Sequence, residues 1–299
     1  MWKKLGNIFN TPGNHPLALT HAANPTSEVL SDTLLRVYYS SRAFDQRSSI
    51  FSVDINIDGE KIEVNKDTIT LHLQPGDIGL FDDTGVSMGW LLKFDQVKYL
   101  YYLGWNLGKN VPWRNSIGLA ISENGSPFKK YSKAPVLDRN NLNPYSISYP
   151  CVIKENNLFR MWHGSNQSWG ATQEEMNHCL TYAESSDGKN WESKDIISVG
   201  FHHESEYAMS KPSVIFEDNI YKMWYSFRGK SYRIGYAESE NGKIFTRKDD
   251  LAGIDISNEG WDSKTIEYPN IFKLNNRKYL LYNGNNYGLT GFGLAIWQE

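Results

Sequence analysis

Five short stretches bring acids, amides, hydroxyls or a lysine to the start of an extended run. They read His21-Ala22-Ala23-Asn24-Pro25, Asp82-Asp83-Thr84-Gly85-Val86-Ser87, Ser146-Ile147-Ser148-Tyr149-Pro150, Ala208-Met209-Ser210-Lys211-Pro212 and Ile266-Glu267-Tyr268-Pro269. The carboxyls among them are Glu267 and the neighbours Asp82 and Asp83. Two carboxyls facing one bond can divide the work. The protonated one donates to a leaving oxygen, and the ionised one attacks or activates water. Glu267 is the expected acid, because Tyr268 and nearby aromatics would desolvate it and raise its pKa. Asp83, with Asp82 as its alternate, is the expected base or nucleophile. The competing reading of an Asp before Thr-Gly is a turn residue.

A second set of side chains suits binding. Arg42 and Arg228 hold matching places in Ser-Ser-Arg and Ser-Phe-Arg, and Trp105, Asn106, His163, Asn166, Asn283 and Asn285 hold similar ones. Planar amides, guanidinium and an indole face fit a hydroxyl-rich ligand with an apolar side. Two inward arginines would also favour a carboxylate or phosphate through bidentate bonds. His21, Asn24, Lys211 and Tyr268 join the expected binding set, as does Asp45, for which an ion pair with Arg47 is the alternative. His202 and His203 are adjacent, so on one strand they would point to opposite faces and share no metal. No metal or cofactor is expected, although a central ion beside His21 stays open. Gly284-Asn285-Asn286-Tyr287-Gly288 precedes no helical pattern, so it is no phosphate loop. A nucleophile elbow is also missing.

The elements that would position these residues repeat. Tyr221 to Gly242 alternates aromatic and polar residues, bends at Arg228-Gly229-Lys230, runs on through Ile234 to Ala237, and closes at Asn241-Gly242. Asn-Gly there predicts a tight primed turn. Four similar units begin at Leu35, Tyr99, Phe159 and Tyr279. A four-strand unit at a pitch of roughly 60 residues is the sign of a β-propeller. The expected fold is all-β: a five-bladed β-propeller of four-stranded antiparallel blades, a single domain over residues 1–299. The blades span roughly 15–80, 81–140, 141–200, 201–255 and 256–299, by the same repeat argument. The last unit lacks a fourth strand, and Trp2 to Phe9 is predicted to supply it, closing the ring in blade five and removing a free edge. Gln173–His178 reads as an insertion with one helical turn at the rim. Met161-Trp162 and Met223-Trp224 read as blade core.

Composition narrows the partners. A net charge of -3 over 299 residues gives no polyanion signal, so neither nucleic acid nor an anionic membrane is expected. Cys151 and Cys179 lack metal-type spacing and read as buried free thiols, as in a reducing compartment. Neither a leader nor an apolar run of about 18 residues is visible, so a cytoplasmic protein is expected. Oligomeric state is not legible.

The repeats resemble those of the five-bladed propeller glycosidases, glycoside hydrolase families 43 and 32. Glu267-Tyr268-Pro269 resembles the family's Glu-x-Pro acid segment. His21 to Pro25 resembles the segment with the blade-one Asp before Pro. Here that residue is Asn24, which is neither base nor nucleophile. The Glu-x-Pro stands in blade five, whereas blade three has Ser148-Tyr149-Pro150. The resemblance implies a carbohydrate ligand in a central funnel and a glycosidase, with Glu267 and Asp83 as a rearranged pair. A cytoplasmic protein would act on a sugar intermediate or oligosaccharide, and the arginines favour an acidic or phosphorylated one. The alternatives are a sugar-binding or assembly protein without hydrolysis, and phosphorolysis or transglycosylation, with phosphate held by Arg42 and Arg228.

Overall fold

The computed structural model describes residues 1–170 and 175–298. Part of the expected insertion at Gln173–His178 lies outside the described residues.

The chain opens with β1 (Trp2–Phe9). The first antiparallel group is β2 (Thr20–Val29), β3 (Leu34–Arg42), β4 (Ser48–Asp58) and β5 (Lys61–Leu73). The second is β6 (Gly85–Phe94), β7 (Val97–Leu107), β8 (Trp113–Glu123) and the short β9 (Lys129–Lys130). The third is β10 (Ile147–Glu155), β11 (Leu158–Asn166), β12 (His178–Ser185) and β13 (Glu192–Val199). The fourth is β14 (Ala208–Glu217), β15 (Ile220–Arg228), β16 (Tyr232–Ser239) and β17 (Thr246–Arg247). The last holds β18 (Glu267–Leu274), β19 (Arg277–Asn283), β20 (Phe292–Trp297) and β1, with Trp2 opposite Trp297. The leading strands β2, β6, β10, β14 and β18 pack on one another in that order, and β18 packs on β2. Among the described residues no helix is long and apolar enough to cross a membrane.

Period-two side chains bind the groups into one core. Met161 packs in a cluster with Tyr99 and Tyr101 of the second group, whereas the next residue, Trp162, packs with Met223 and Tyr225 of the fourth. Successive residues on a strand point to opposite faces, so each second strand serves both neighbours.

Every leading strand breaks its ladder at the same level. The register slips between Ala23 and Thr26, Met88 and Trp90, Ser148 and Cys151, Ser210 and Ser213, and Glu267 and Asn270. These are β-bulges, and in four of them proline, which has no N–H to give, takes a place without a ladder partner. The residue before it is left-handed: Asn24 at φ 57°, Tyr149 at 30°, Lys211 at 48° and Tyr268 at 57°. In the second group Gly89 takes the place of proline itself. A Cβ at Gly89 would lie 2.6 Å from the Tyr101 carbonyl and 2.9 Å from Pro150.

The bulges also stitch neighbouring groups. The Tyr268 N–H donates to Ser226 Oγ (2.7 Å), Met88 to Ser40 Oγ (2.6 Å) and Asn24 to Asn283 Oδ1 (2.8 Å). The Val214 N–H donates to Cys151 Sγ at 3.4 Å. Both cysteines are buried free thiols, as expected.

The expected primed turn at Asn241-Gly242 is not formed. A type I′ turn needs positive φ at both central residues, and here only Gly242 has it, at 71°. Asn241 instead accepts from the Lys243 N–H (2.8 Å), and Ser239 Oγ accepts from the Gly242 N–H (3.0 Å). Ser185, Asp187 and Gly188 build the same loop. The glycine carbonyls then face the preceding group: Gly242 accepts Trp162 Nε1 (2.9 Å) and Gly188 accepts the Tyr101 hydroxyl (2.7 Å).

Candidate functional site

The strand register places Ala23, Ser148, Ser210 and Glu267 in the last ladder pair before each bulge. In the second group the last pair is Met88–Tyr102, but the Met88 N–H donates to Ser40 Oγ as the Tyr268 N–H does to Ser226 Oγ, which makes Ser87 the counterpart of Glu267. Glu267 is the one acid of these five. Above them opens a cavity of about 460 Å³ lined by Ser87, Ser148 and Ser210 together with Tyr149, Tyr232, Tyr268 and Tyr287. Trp105, Trp113, Leu103 and Leu107 form an apolar wall from the second group, and His178, Asn115 and Asn166 add polar edges. A smaller chamber of about 80 Å³ adjoins it, lined by His21, Asn24, Arg42 and the serines 40, 48 and 87. Arg42, Ser87, Tyr149, Tyr268 and Tyr287 line both.

Glu267 lies behind the tyrosine floor, 1% exposed. Its Oε1 accepts the Tyr287 N–H at 2.9 Å, and its Oε2 has no hydrogen-bond partner. Burial pushes its pKa up to about 8, against the opposing pull of the Tyr287 N–H and the Arg228 charge. A carboxyl that stays protonated at neutral pH, with one oxygen unengaged, can donate a proton.

The expected partners of Glu267 are not brought to it. Asp82 is buried and accepts from Lys130 Nζ (2.6 Å) and the Tyr102 hydroxyl (3.0 Å). The last group repeats this arrangement: Asp262 accepts from Lys4 Nζ (2.7 Å) and the Tyr282 hydroxyl (3.2 Å). The residue before each Asp also packs on that tyrosine, Phe81 on Tyr102 at 6.0 Å and Trp261 on Tyr282 at 5.2 Å. Asp82 is therefore half of a repeated lock that ties the lead-in of a group to its second and fourth strands. Asp83 is the turn residue of the competing reading, accepting from the Gly79 N–H and the Thr84 hydroxyl, each at 3.0 Å. The expectation fails because the second group lacks the proline that marks the level elsewhere. The acids stand four to five residues ahead of that level, which Ser87 occupies.

The binding set divides. His21, Asn24, Arg42, Asp45, Trp105, Asn166 and Tyr268 line one cavity or the other. Asp45 also pairs with Arg47 at 2.7 Å, its alternative reading. His21 is held neutral, its pKa pushed down to about 4 by burial and then by the Arg42 charge. Six expected ligand groups serve the structure instead. Asn106 donates to the Leu80 carbonyl (3.0 Å), and Asn283 donates to the Ala22 and Gly291 carbonyls (2.8 and 2.7 Å). His163 is fully buried in β11, bonded to its neighbour's carbonyl. Asn285 accepts the Lys264 and Thr265 N–H groups. Arg228 lies between the rings of Tyr207 and Tyr232 and donates to the Tyr287 hydroxyl, behind the wall. Lys211 is fully buried under the floor, its Nζ 3.3 Å from Thr26 Oγ1 and 5.6 Å from the centre of the Trp90 ring. Burial depresses its pKa to about 7.

Tyr287, Tyr232 and His178 are not foreseen from sequence. Tyr287 has φ 57° in the glycine-rich loop after β19. That loop's glycines and asparagines signal unusual backbone, but not the direction in which its tyrosine points.

Comparison with known proteins bears on this geometry. No family model matches the sequence. Over 300 residues the chain is 41% identical to "Uncharacterized protein Rv1502" of Mycobacterium tuberculosis, covering 100% of this chain and 99% of that one. Its fold is similar to that of BT0996 in an RGII complex (TM-score 0.70, 15% identity, 98% of this chain and 91% of that one). A thermostable family-43 glycoside hydrolase aligns with TM-score 0.63 at 15% identity, over 97% and 94% of the two chains. The Bombyx mori GH32 β-fructofuranosidase aligns with TM-score 0.66 at 15% identity, over 92% of this chain and 61% of that one. The fold is that of these glycosidases, as the repeats implied.

Proposed function

We propose that this chain, which belongs to the same family as Rv1502 of Mycobacterium tuberculosis, is a carbohydrate-active, glycosidase-like enzyme working in the funnel of one five-bladed β-propeller. Residues 1–299 form that domain, and β1 completes its fifth blade. The observation that carries the reading is Glu267: a buried carboxyl with one free oxygen, beneath a cavity of about 460 Å³ walled by tyrosines and tryptophans. Aromatic faces suit the apolar side of a sugar ring, and the serines and amides suit its hydroxyls. Glu267 gives its proton to the departing glycosidic oxygen. Arg42 favours an acidic or phosphorylated sugar. The fold shared with glycoside hydrolases supports the same reading.

The test compares the parent with Glu267→Gln on a panel of glycosides. A sugar leaving group needs the proton, whereas nitrophenolate leaves without it. The variant should lose about 10²–10⁴-fold on the former and far less on the latter. Equal turnover by parent and variant on both would sink the assignment.

A second reading draws on Asn24, an amide where the glycosidases this chain resembles carry an acid. In it the funnel binds sugar without cleaving it. Unchanged sugar affinity in Glu267→Gln, with no turnover by the parent on any glycoside, would favour that reading.

A further inference from the structure

We propose that the small chamber beside the funnel is a binding site for a phosphate group. Its donors are surplus to the protein's own bonding. Ser40 Oγ accepts the Met88 N–H at 2.6 Å, which leaves the hydroxyl proton for a ligand. Ser48 and Ser87 share one hydrogen bond at 3.2 Å, and Ser48 also accepts Trp105 Nε1 at 2.9 Å, so one proton of the pair is unused. Arg42 has only a 3.5 Å bond to Gln46 and forms no ion pair among the described residues. A guanidinium and two hydroxyl donors converging on about 80 Å³ describe an oxyanion site.

The chamber also holds an amide acceptor that the protein leaves unpaired. Asn24 is 1% exposed, and its Oδ1 has no partner. Monohydrogen phosphate carries three bare oxygens for the donors and one P–OH for that acceptor. Sulfate has no proton to give and would leave Asn24 unsatisfied, a costly state for a buried polar atom. The chamber therefore selects phosphate over sulfate.

The use of the site, though not its binding, rests on the glycosidase-like reading. Tyr149, Tyr268 and Tyr287 line both spaces, so phosphate in the chamber faces a sugar in the funnel. Free phosphate can then replace the missing second carboxylate. A phosphate oxygen bonds to the anomeric carbon as the glycosidic C–O bond breaks. The bond's electron pair goes to the leaving oxygen, which takes the Glu267 proton. The products are a sugar 1-phosphate and a free hydroxyl, and solvent reprotonates Glu267. If the phosphate is instead an ester on the sugar, the same chamber holds its monohydrogen form, whose one P–OH serves Asn24.

Calorimetry with inorganic phosphate tests the site on the intact protein. The parent should bind phosphate at least tenfold more tightly than sulfate. Arg42→Gln, and Asn24→Gly, which keeps the left-handed backbone, should each weaken binding at least tenfold while melting cooperatively. No binding at millimolar phosphate, equal affinity for sulfate, or full affinity in both variants would overturn the proposal. Glu267→Gln should still bind phosphate, so failure of the acid assignment is seen separately. Glycoside cleavage that needs added phosphate and yields a sugar phosphate identifies the free anion. Cleavage of phosphorylated glycosides alone, inhibited by phosphate, identifies the ester.

Discussion

Two buried ionisable side chains set the chemistry of the centre, and they titrate in opposite senses. Glu267 keeps its proton in the folded protein up to about pH 8, whereas an unfolded glutamate loses it near 4.5. The folded state therefore holds the extra proton across that window, and stability falls as pH rises through it. Lys211 ionises near 7 when folded and near 10.5 when unfolded. There the unfolded state holds the extra proton, so stability rises with pH from about 7 to 10.5. Denaturant unfolding at stepped pH should show both slopes. Glu267→Gln should abolish the first and Lys211→Met the second. A parent curve flat from acid to alkaline pH would contradict both assignments. Glu267 itself was legible in the sequence, because proline marks its level and aromatics surround it. The structural tasks of Asn285 and Arg228 were not, because each depends on which neighbouring segment its side chain meets, and that of His163 was not, because its ring turns back onto its own strand.

At the scale of elements, the Asp–Tyr–Lys lock explains why an acid beside a leading strand need not be catalytic. Asp82 and Asp262 each anchor a lysine from the fourth strand and a tyrosine from the second. Replacing either by Asn leaves a poorly paired cation beside an aromatic wall. A loss of about 3 kcal/mol is expected for each, read from urea midpoints. Turnover per folded molecule of Asp82→Asn should match the parent. A collapse of turnover without loss of stability would return Asp82 to the catalytic pair. The lock has a trace in the sequence as Phe81-Asp82 and Trp261-Asp262 ahead of two leading strands. It is hidden because proline marks the bulge level in four groups, and Gly89 stands in proline's place in the second. Four of the bulges follow from chemistry readable in advance: proline in a strand interior has no N–H for the ladder and falls where pairing is interrupted.

Across the whole molecule, the chain's two ends meet in one sheet. β1 pairs along β20, and Trp2 packs against Trp297 and Trp224. The spacing of the repeats and the missing fourth strand of the last unit made this pairing legible. Removing residues 1–9 should expose the β20 edge and uncover the tryptophan cluster. The truncated chain is expected to associate in light scattering and to lose cooperative melting, and a monomer with the parent's melting temperature would contradict this. The two cavities were less legible, because their walls come from loops of several groups and no single stretch carries their shape.

Proton donation requires that Glu267 stay protonated beneath the funnel at neutral pH. It can be tested without knowing the sugar. Carboxyl-¹³C glutamate labelling, with Glu267→Gln to identify the resonance, follows this one side chain through a pH titration. The expected midpoint is near 8. A midpoint near 4.5, the ordinary glutamate value, would mean an ionised carboxylate at neutral pH and would contradict the proton-donor role.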